Sequence, residues 1–558
     1  MHDPETGNWI TYNGETYNFK QLRQEIDDGT EAWRSDSDTE VVLRAYRKWG
    51  VDAFRRLRGM FALAIWDAQQ NRLVLARDPL GIKPLYYYQT GEHFVCASEL
   101  RALLASGLVP RKLSIEGVDS YLANGSIEAP LTIVEGIRQL LPGQFMQVGP
   151  TADRKIEIRV SNFTGPRSEI AVRNRADAVA RLRSELEESV RLHLVSDVPL
   201  GVFLSGGMDS SAMVALTSRI TGQPPRTFSV VFNEAEYSEA PHARAIAARF
   251  RTDHSETRLN EAQLLDLLPQ AIASLDQPTM DGINTFVVSK AVRNAGVTVA
   301  LSGLGGDELF AGYPSFRRAL KVDAMSPVSK RLLRAVSGFG KVALNGSTPR
   351  HKFWQLAASD CTPADVYGIT RQLFSPDSAR RLTRRAPLAA THSREESTGD
   401  VVNAISELEL RGYMTNTLLR DTDAMSMAHS LEVRVPLVDV KIVEFALSLP
   451  GKWKLPAHSN GVAKPLLADA LADLLPPELM KRPKMGFTLP FEKWMQGALR
   501  KEIESVFEAG DQLRALDAAS VRDVWRKFLH KPRAVGWSRP WSLYVLGKWC
   551  EINRITAQ

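Results

Sequence analysis

The sequence predicts two domains of different class: an α+β domain rich in antiparallel sheet over residues 1–160, and over 176–558 an α/β doubly wound parallel sheet with a helical C-terminal part. Short apolar runs separated by turn dipeptides predict the first. Continuous apolar runs that end in glycine loops and alternate with helices predict the second. A chain of 558 residues with 44% hydrophobic composition has material for more than one packed core.

In the first domain, strands are expected at 9–12, 60–66, 72–76, 85–88, 93–97 and 144–148, with turn signals at Asn13-Gly14, Thr90-Gly91 and Pro142-Gly143. Helices are expected at 19–27 and 39–49, the second carrying an apolar stripe of Val42, Ala45, Tyr46 and Trp49 behind a cap at Ser37 or Asp38. In the second domain, strands at 198–204, 227–232 and 297–301 alternate with helices at 177–194, 209–220 and 239–250. Residues 320–400 read as helical stretches followed by a polar surface loop at 391–400. More helices, broken at Pro476, Pro477, Pro483 and Pro490, run to the C-terminus. There is no internal repeat and no low-complexity tract.

Composition excludes several function classes. No run approaches the roughly eighteen apolar residues of a membrane span, and Met1-His2-Asp3-Pro4-Glu5 lacks the regions of a signal peptide, so a cytoplasmic protein is expected. Cys96, Cys361 and Cys550 are far apart, without a CxxC, and are expected to be buried and inert. The net charge of +6, from 70 basic against 64 acidic residues, reads as spread along the chain. Arg380-Arg381 and Arg384-Arg385 read as solvated surface, and nucleic-acid binding is not expected.

The stretch from Phe203 through Leu204, Ser205, Gly206, Gly207, Met208, Asp209 and Ser210 to Ser211 reads as a phosphate cradle between a buried strand and a helix. Its glycines let the backbone close on an anion, and the following helix offers free N–H groups and its positive dipole end. Asp209 makes sense there if Mg²⁺ bridges it to the phosphates. A second apolar run ends in Ser302-Gly303-Leu304-Gly305-Gly306-Asp307-Glu308. Two such loops fit adjacent strand ends of one sheet, where ligands bind at the carboxyl edge. No Gly-Lys-Ser/Thr follows the glycines, so this is not a Walker loop. The SGGxDS pattern instead resembles the signature of the ATP pyrophosphatases, which transfer AMP to a substrate oxygen.

Further motifs widen the resemblance to nearly the whole chain. They are Tyr12 to Asn18, Ser37-Asp38-Thr39-Glu40, Arg58-Gly59-Met60-Phe61-Ala62, Arg77 to Tyr87 and Ala97-Ser98-Glu99-Leu100, then Arg420-Asp421, Met425-Ser426, Leu431 to Asp439 and Arg482 to Phe487. In this order they resemble the glutamine-dependent, class B asparagine synthetase family. That resemblance implies an N-terminal glutaminase of the Ntn-hydrolase type and a C-terminal synthetase of the ATP-pyrophosphatase type. Ammonia from glutamine would cross an internal tunnel to attack an acyl adenylate made from aspartate and MgATP.

It further implies that Asn13, Gly14 and Glu15 hold glutamine, with Asn13 and Gly14 as oxyanion donors and Asp38 on the substrate's α-amino group. Leu204, Ser205, Gly206, Gly207, Asp209, Ser210 and Val230 would bind ATP, Ser302 and Gly303 the adenylate, and Asp209 with Asp307 the Mg²⁺ and pyrophosphate. Lys464 matches a family lysine near the phosphates, with Asp307 and Glu308 beside the chemistry. Arg420 and Arg434 are open between substrate anions and acidic neighbours such as Asp421 and Asp423. Homodimers go with the family.

Two departures shape the expectations. Family glutaminases use an N-terminal cysteine whose own amino group acts as base, whereas this sequence begins Met1-His2. Glutaminase activity is therefore expected to be undetectable in this polypeptide. Because Asn13, Gly14, Glu15 and Asp38 keep the family's residue types, missing opening strands are expected rather than a decayed domain. Exposed sheet edges and poor solubility would follow. The second departure is Leu304, where a family glutamate assists ammonia. Leucine cannot accept a proton, so Glu308 or Asp281 takes over or the acceptor is another acid, such as a sugar acid or peptide carboxylate. A non-catalytic assembly subunit is the rival reading of another class.

Overall fold

The computed structural model describes residues 1–151, 153, 155–165, 172–232, 239–340, 349–386, 399–456, 461–482, 489–509 and 513–556. The motif residues 483–488 and most of the expected polar loop, 391–398, lie outside them.

Among the described residues, eight strands form the first part: β1 (Trp9–Thr16), β2 (Gly59–Asp67), β3 (Arg72–Arg77), β4 (Tyr86–Gln89), β5 (Phe94–Ala97), β6 (Arg138–Gln139), β7 (Gln144–Pro150) and β8 (Ile156–Asn162). They make two antiparallel sheets, β1-β2-β3-β7-β8 and β5-β4-β6. Alternation along the strands sends one set of side chains to each face. Ile10, Phe61, Leu63, Ile65 and Val74 pack under Leu22, Val42 and Tyr46 of the helices Phe19–Ile26 and Asp38–Trp49. Ala62, Leu75, Met146 and Val148 pack on Tyr87 and Phe94 of the second sheet and on Leu85 just before it. Ser37 caps the longer helix by accepting the Thr39 N–H at 3.2 Å, which leaves Asp38 to accept the Thr16 N–H at 2.8 Å.

Asn13-Gly14 is not a turn. Both residues lie inside β1, opposite Ala62 and Phe61. A Cβ on Gly14 would stand 2.1 Å from the Met60 carbonyl oxygen, so glycine serves here for close strand approach.

The second part holds a parallel sheet of β9 (Leu200–Phe203), β10 (Arg226–Phe232), β11 (Asp253–Leu259), β12 (Val299–Leu301) and β13 (Glu432–Arg434), in the order β11-β10-β9-β12-β13. The chain winds from β9 to β11 in one direction, then returns to the other side of β9. The crevice between β9 and β12 is thus a topological switch point, and both glycine loops leave from it. Val198, expected in the strand, is exposed and precedes β9.

Beyond β12 the chain is mainly helical. One rod runs from Val401–Glu409 through a π-helical stretch, Leu410–Leu419, into Arg420–Met427. The wide turn is held by side chains folding back: Thr415 Oγ1 donates to Leu410 O at 2.7 Å, and Asn416 Nδ2 to Arg411 O and Gly412 O at 2.8 and 2.9 Å.

The two parts share their cores. Tyr17, Met60 and Ile82 pack among Val202, Met213 and Leu437, and Leu103, Tyr121 and Ile133 among Phe286, Trp541 and Trp549. Ion pairs cross the joint, Arg58 to Asp439 at 2.9 Å, Lys83 to Asp423 at 2.6 Å and Arg434 to Glu15 at 3.2 Å. No helix among the described residues is long and apolar enough to cross a membrane.

Candidate active site

The glycine loops interlock at Asp209. Gly206 takes φ +80°, and a Cβ there would meet Ala243 N at 2.7 Å. Gly207 caps the helix Met208–Thr221. Serines brace the loop: Ser205 N donates to Ser210 Oγ at 3.2 Å, and Ser210 Oγ to Gly207 O at 3.1 Å. From the second loop, a Cβ on Gly303 would lie 2.6 Å from the carbonyl carbon of Asp209, and one on Gly306 would lie 2.3 Å from Asp209 Oδ1.

A prediction follows from Gly303, because its nearest neighbours are backbone atoms that cannot swing away. Gly303→Ala should cost about 1–3 kcal/mol of stability and part the two loops. Nucleotide binding should fall at least about tenfold for every 1.4 kcal/mol lost at the site. Calorimetric titration with MgATP and a thermal melt check it, and unchanged affinity would break the argument.

Lys464 closes the arrangement. It sits at φ +51° just before the helix Pro465–Ala470 and is 6% exposed. Its Nζ bonds to Asp209 Oδ2 and, at 2.8 Å, to Asp307 Oδ1. Gly312 leaves the room this needs, since a Cβ there would stand 1.9 Å from Asp307 Oδ1 and 2.6 Å from Lys464 Cε. Burial opposes the ammonium charge, but the two carboxylates outweigh it and hold the pKa above the ordinary lysine value.

Beside this triad lies a cavity of about 310 Å³. Leu204, Ser205, Asp209, Ser210, Val230, Ser302, Gly303, Leu304, Asp307 and Glu308 all line it, whereas Gly206, Gly207 and Lys464 do not. Glu308 is 1% exposed and accepts the Tyr313 hydroxyl at 2.6 Å. Burial, with Asp307 adding to it, pushes its carboxyl up to about 7. Asp281 accepts the Tyr413 hydroxyl at 3.2 Å and is likewise raised by burial. Asp421, pushed up to about 7 by burial, completes the acidic wall.

The sequence alone does not single out Tyr313, Tyr413, Thr417 or Thr422. Thr417 and Thr422 reach the cavity wall because the π-helical stretch resets the helix face, and no apolar periodicity marks such a stretch.

Asn13, Gly14, Glu15 and Asp38 gather elsewhere, at β1 and the start of the helix Asp38–Trp49. Burial pushes Glu15 up to about 7, although Arg434 works against the shift. Both open arginines are committed to protein partners. Arg420 lies 3.5 Å from Asp421 and donates to Ile127 O at 3.3 Å. Arg434 meets Glu432 at 2.6 Å and Glu15 at 3.2 Å, and donates to the carbonyls of His193 and Val195 at 2.8 and 2.6 Å. Asp423 pairs with Lys83 across the joint.

The three cysteines are unpaired. Burial pushes the Cys96 thiol up to about 11 and Cys550 up to about 12, the reverse of an activated thiolate.

The chain matches the Asparagine synthase family over residues 181–551 and the Glutamine amidotransferase domain over residues 1–157. It is 29% identical to the glutamine-hydrolysing asparagine synthetase 1 of Bacillus subtilis (strain 168), across 98% of this chain and 85% of that one. It is 30% identical to the glutamine-hydrolysing asparagine synthetase 3 of the same organism, across 92% of this chain and 83% of that one. Amidase chyE of Penicillium rubens is 25% identical across 98% of this chain and 87% of its own length. Two separate domains, joined in the order the motifs require, make the chain a member of the asparagine synthase family and an enzyme of that type.

Proposed function

We propose that the protein is a ligase that adenylates a carboxylic acid with ATP and then amidates it, aspartate giving asparagine, with glutamine or ammonia as nitrogen donor. The observation that carries this reading is the pair of glycine loops at the ends of β9 and β12, whose Asp209 and Asp307 meet on the one ammonium of Lys464. Backbone N–H groups of the first loop and the N-terminus of Met208–Thr221 favour the triphosphate, while Val230 and Ser229 offer an edge to the base.

The acceptor's carboxylate oxygen attacks the α-phosphorus, and pyrophosphate leaves beside Lys464, whose charge grows in value as the leaving group's negative charge develops. Ammonia then attacks the acyl carbon. The C–N bond forms, the bond to AMP breaks with its electron pair going to AMP, and the nitrogen gives up a proton. Leu304 cannot take that proton, whereas Glu308 and Asp281 on the same cavity wall can. The residues fit Mg²⁺: two carboxylates lie close enough to share one partner, and Mg²⁺ is commonly held by one or two carboxylates plus substrate phosphates. Bound there, the ion would neutralise charge on the pyrophosphate.

In the first part, we assign Asn13 and Gly14 to the oxyanion position and Glu15 and Asp38 to glutamine's amino-acid end, with no nucleophile assigned, in keeping with the glutaminase activity expected to be undetectable in this polypeptide. The helix-covered antiparallel sheets support an Ntn-hydrolase reading of residues 1–160, and the switch-point loops an ATP-pyrophosphatase reading of 176–558. Dependence on ATP goes with a cytoplasmic place of work.

One observation favours a second acceptor class. Among the described residues lining the cavity, the charged side chains are Asp209, Glu239, Asp281, Asp307, Glu308 and Asp421, with no Lys or Arg to receive aspartate's second carboxylate. A sugar acid or peptide carboxylate carrying hydroxyl or amine groups suits that wall better. The deciding measurement is pyrophosphate release with MgATP and ammonium, with and without aspartate. Stimulation by aspartate with asparagine formed establishes the first reading. ATP binding without stimulation moves the acceptor to the second, and failure to bind MgATP removes both.

A further inference from the structure

The segment between Asp323 and Asp360 contains Lys330, Arg331, Arg334, Lys341, Arg350 and Lys352, and no Asp or Glu. Without it the chain holds 64 basic and 64 acidic residues, so the whole formal excess of +6 sits in this one stretch. The even spread of charge expected from composition is corrected on this point.

Two helices that pack on each other, Pro327–Gly340 and Pro349–Ala358, carry the segment. On the first, Val328, Leu332 and Ala335 follow one another at helical spacing, and all three are exposed. At 65% and 62%, Val328 and Leu332 are the most exposed large hydrophobic side chains among the described residues. Phe353, on the second helix, is 52% exposed. Arg331 and Arg334 are exposed on the first helix, and Arg334 keeps only a solvent-facing pair with Asp360 at 2.8 Å. Lys352 has a different task, donating to the carbonyls of Thr370 and Gln372 at 2.9 and 3.0 Å and so tying the second helix to the body.

Aliphatic side chains held out to water beside exposed arginines are the make-up of a helix that lies in a membrane interface. We propose that these two helices dock the protein on an anionic lipid bilayer, with Val328, Leu332 and Phe353 entering the acyl boundary and Arg331 and Arg334 meeting headgroup phosphates. Charge complementarity points to an anionic surface, and the aliphatic stripe selects a bilayer over a phosphate polymer, which would leave Val328 and Leu332 in water. No described helix is both long and apolar enough to cross a membrane, and the contact proposed is a peripheral one. The inference is independent of the acceptor acid, since none of these side chains lines the cavity.

The test is co-sedimentation of the full chain with vesicles of phosphatidylcholine containing about one-third phosphatidylglycerol, against phosphatidylcholine alone. Binding to the anionic vesicles only, weakened by high salt, is expected. The double variant Val328→Asp, Leu332→Asp should lower the partition coefficient about tenfold, and Arg331→Glu with Arg334→Glu should do the same by charge alone. Both variants should keep the wild-type melting temperature and MgATP affinity, because they alter only this surface; the charge pair stands as the second probe if the aspartate pair misfolds. Sedimentation no better than with phosphatidylcholine overturns the proposal. So does lipid binding that the double variant retains, or retention on heparin that it leaves unchanged while lipid binding is absent.

Discussion

Replacing Lys464 by Met is expected to cut pyrophosphate release by about a hundredfold to a thousandfold, the loss that follows when a preorganised donor is taken from a developing anion. The lysine is held in place before any substrate arrives. Its left-handed backbone, the proline that follows and the space cleared at Gly312 fix Nζ between Asp209 and Asp307. Nothing need reorganise when pyrophosphate departs, which is where such a charge has its largest effect. The change also leaves Asp209 and Asp307 facing each other without their shared ammonium, so the variant should favour the metal-bound form and saturate at lower Mg²⁺. Two readouts separate chemistry from packing. The maximal rate should collapse while the KM for ATP moves less than about tenfold, because an interaction made in the transition state is what is lost. Lys464→Arg should restore little, since the planar guanidinium needs room that Gly312 provides only for a single ammonium. A variant with near wild-type turnover would remove Lys464 from the mechanism.

The triad shows what a sequence can and cannot reveal. The strand, glycine loop and helix around Asp209 are legible because a buried parallel strand is a continuous apolar run and a phosphate loop needs glycine. The second loop is legible for the same reasons, and the two together place the switch point. Their interlock is not, because only coordinates show that Gly303 and Gly306 make way for Asp209.

The strand β13 escapes detection for a physical reason. Three residues, Glu432, Val433 and Arg434, are too few for a period-2 signal, and two of them are charged because they face the joint rather than a core. Thr417, Asp421 and Thr422 reach the cavity through a π-helical stretch that side-chain hydrogen bonds create, a cause that sits in no periodic pattern. Asn13-Gly14 misleads in the opposite sense. The dipeptide carries the strongest short-range hairpin signal, yet here the glycine lets β1 press against β2 at Met60. Even spacing of charge is likewise a property of totals that hides a local excess between Asp323 and Asp360.

Arg434→Met should lower the thermal midpoint of the first unfolding step by about 5 °C or more, the scale of a few kcal/mol in a domain of this size. The side chain is only 3% exposed and has four partners drawn from three parts of the chain. Losing it leaves the carbonyls of His193 and Val195 without this donor, at about 1–3 kcal/mol for each buried group left unsatisfied. It also takes the counter-charge from Glu15 and Glu432, and the ring of Tyr17 loses a cation 5.6 Å from its centre. Arg434→Lys should recover less than half, because one ammonium cannot span two carboxylates and two carbonyls.

The pH dependence gives the sharper test. Burial already raises Glu15 from 4.5 to about 7 in the folded chain, against the pull of Arg434. A carboxyl whose folded pKa lies above its unfolded value favours the fold at low pH, and that contribution is lost as pH rises through the folded pKa. Taking away Arg434 lifts Glu15 further, so the variant's deficit should be smaller at pH 6 than at pH 8. The double variant with Glu15→Gln should lose most of that pH dependence. A deficit that is the same at both pH values would mean that Arg434 stabilises the joint through its carbonyls alone, and that Glu15 does not depend on it for its charge.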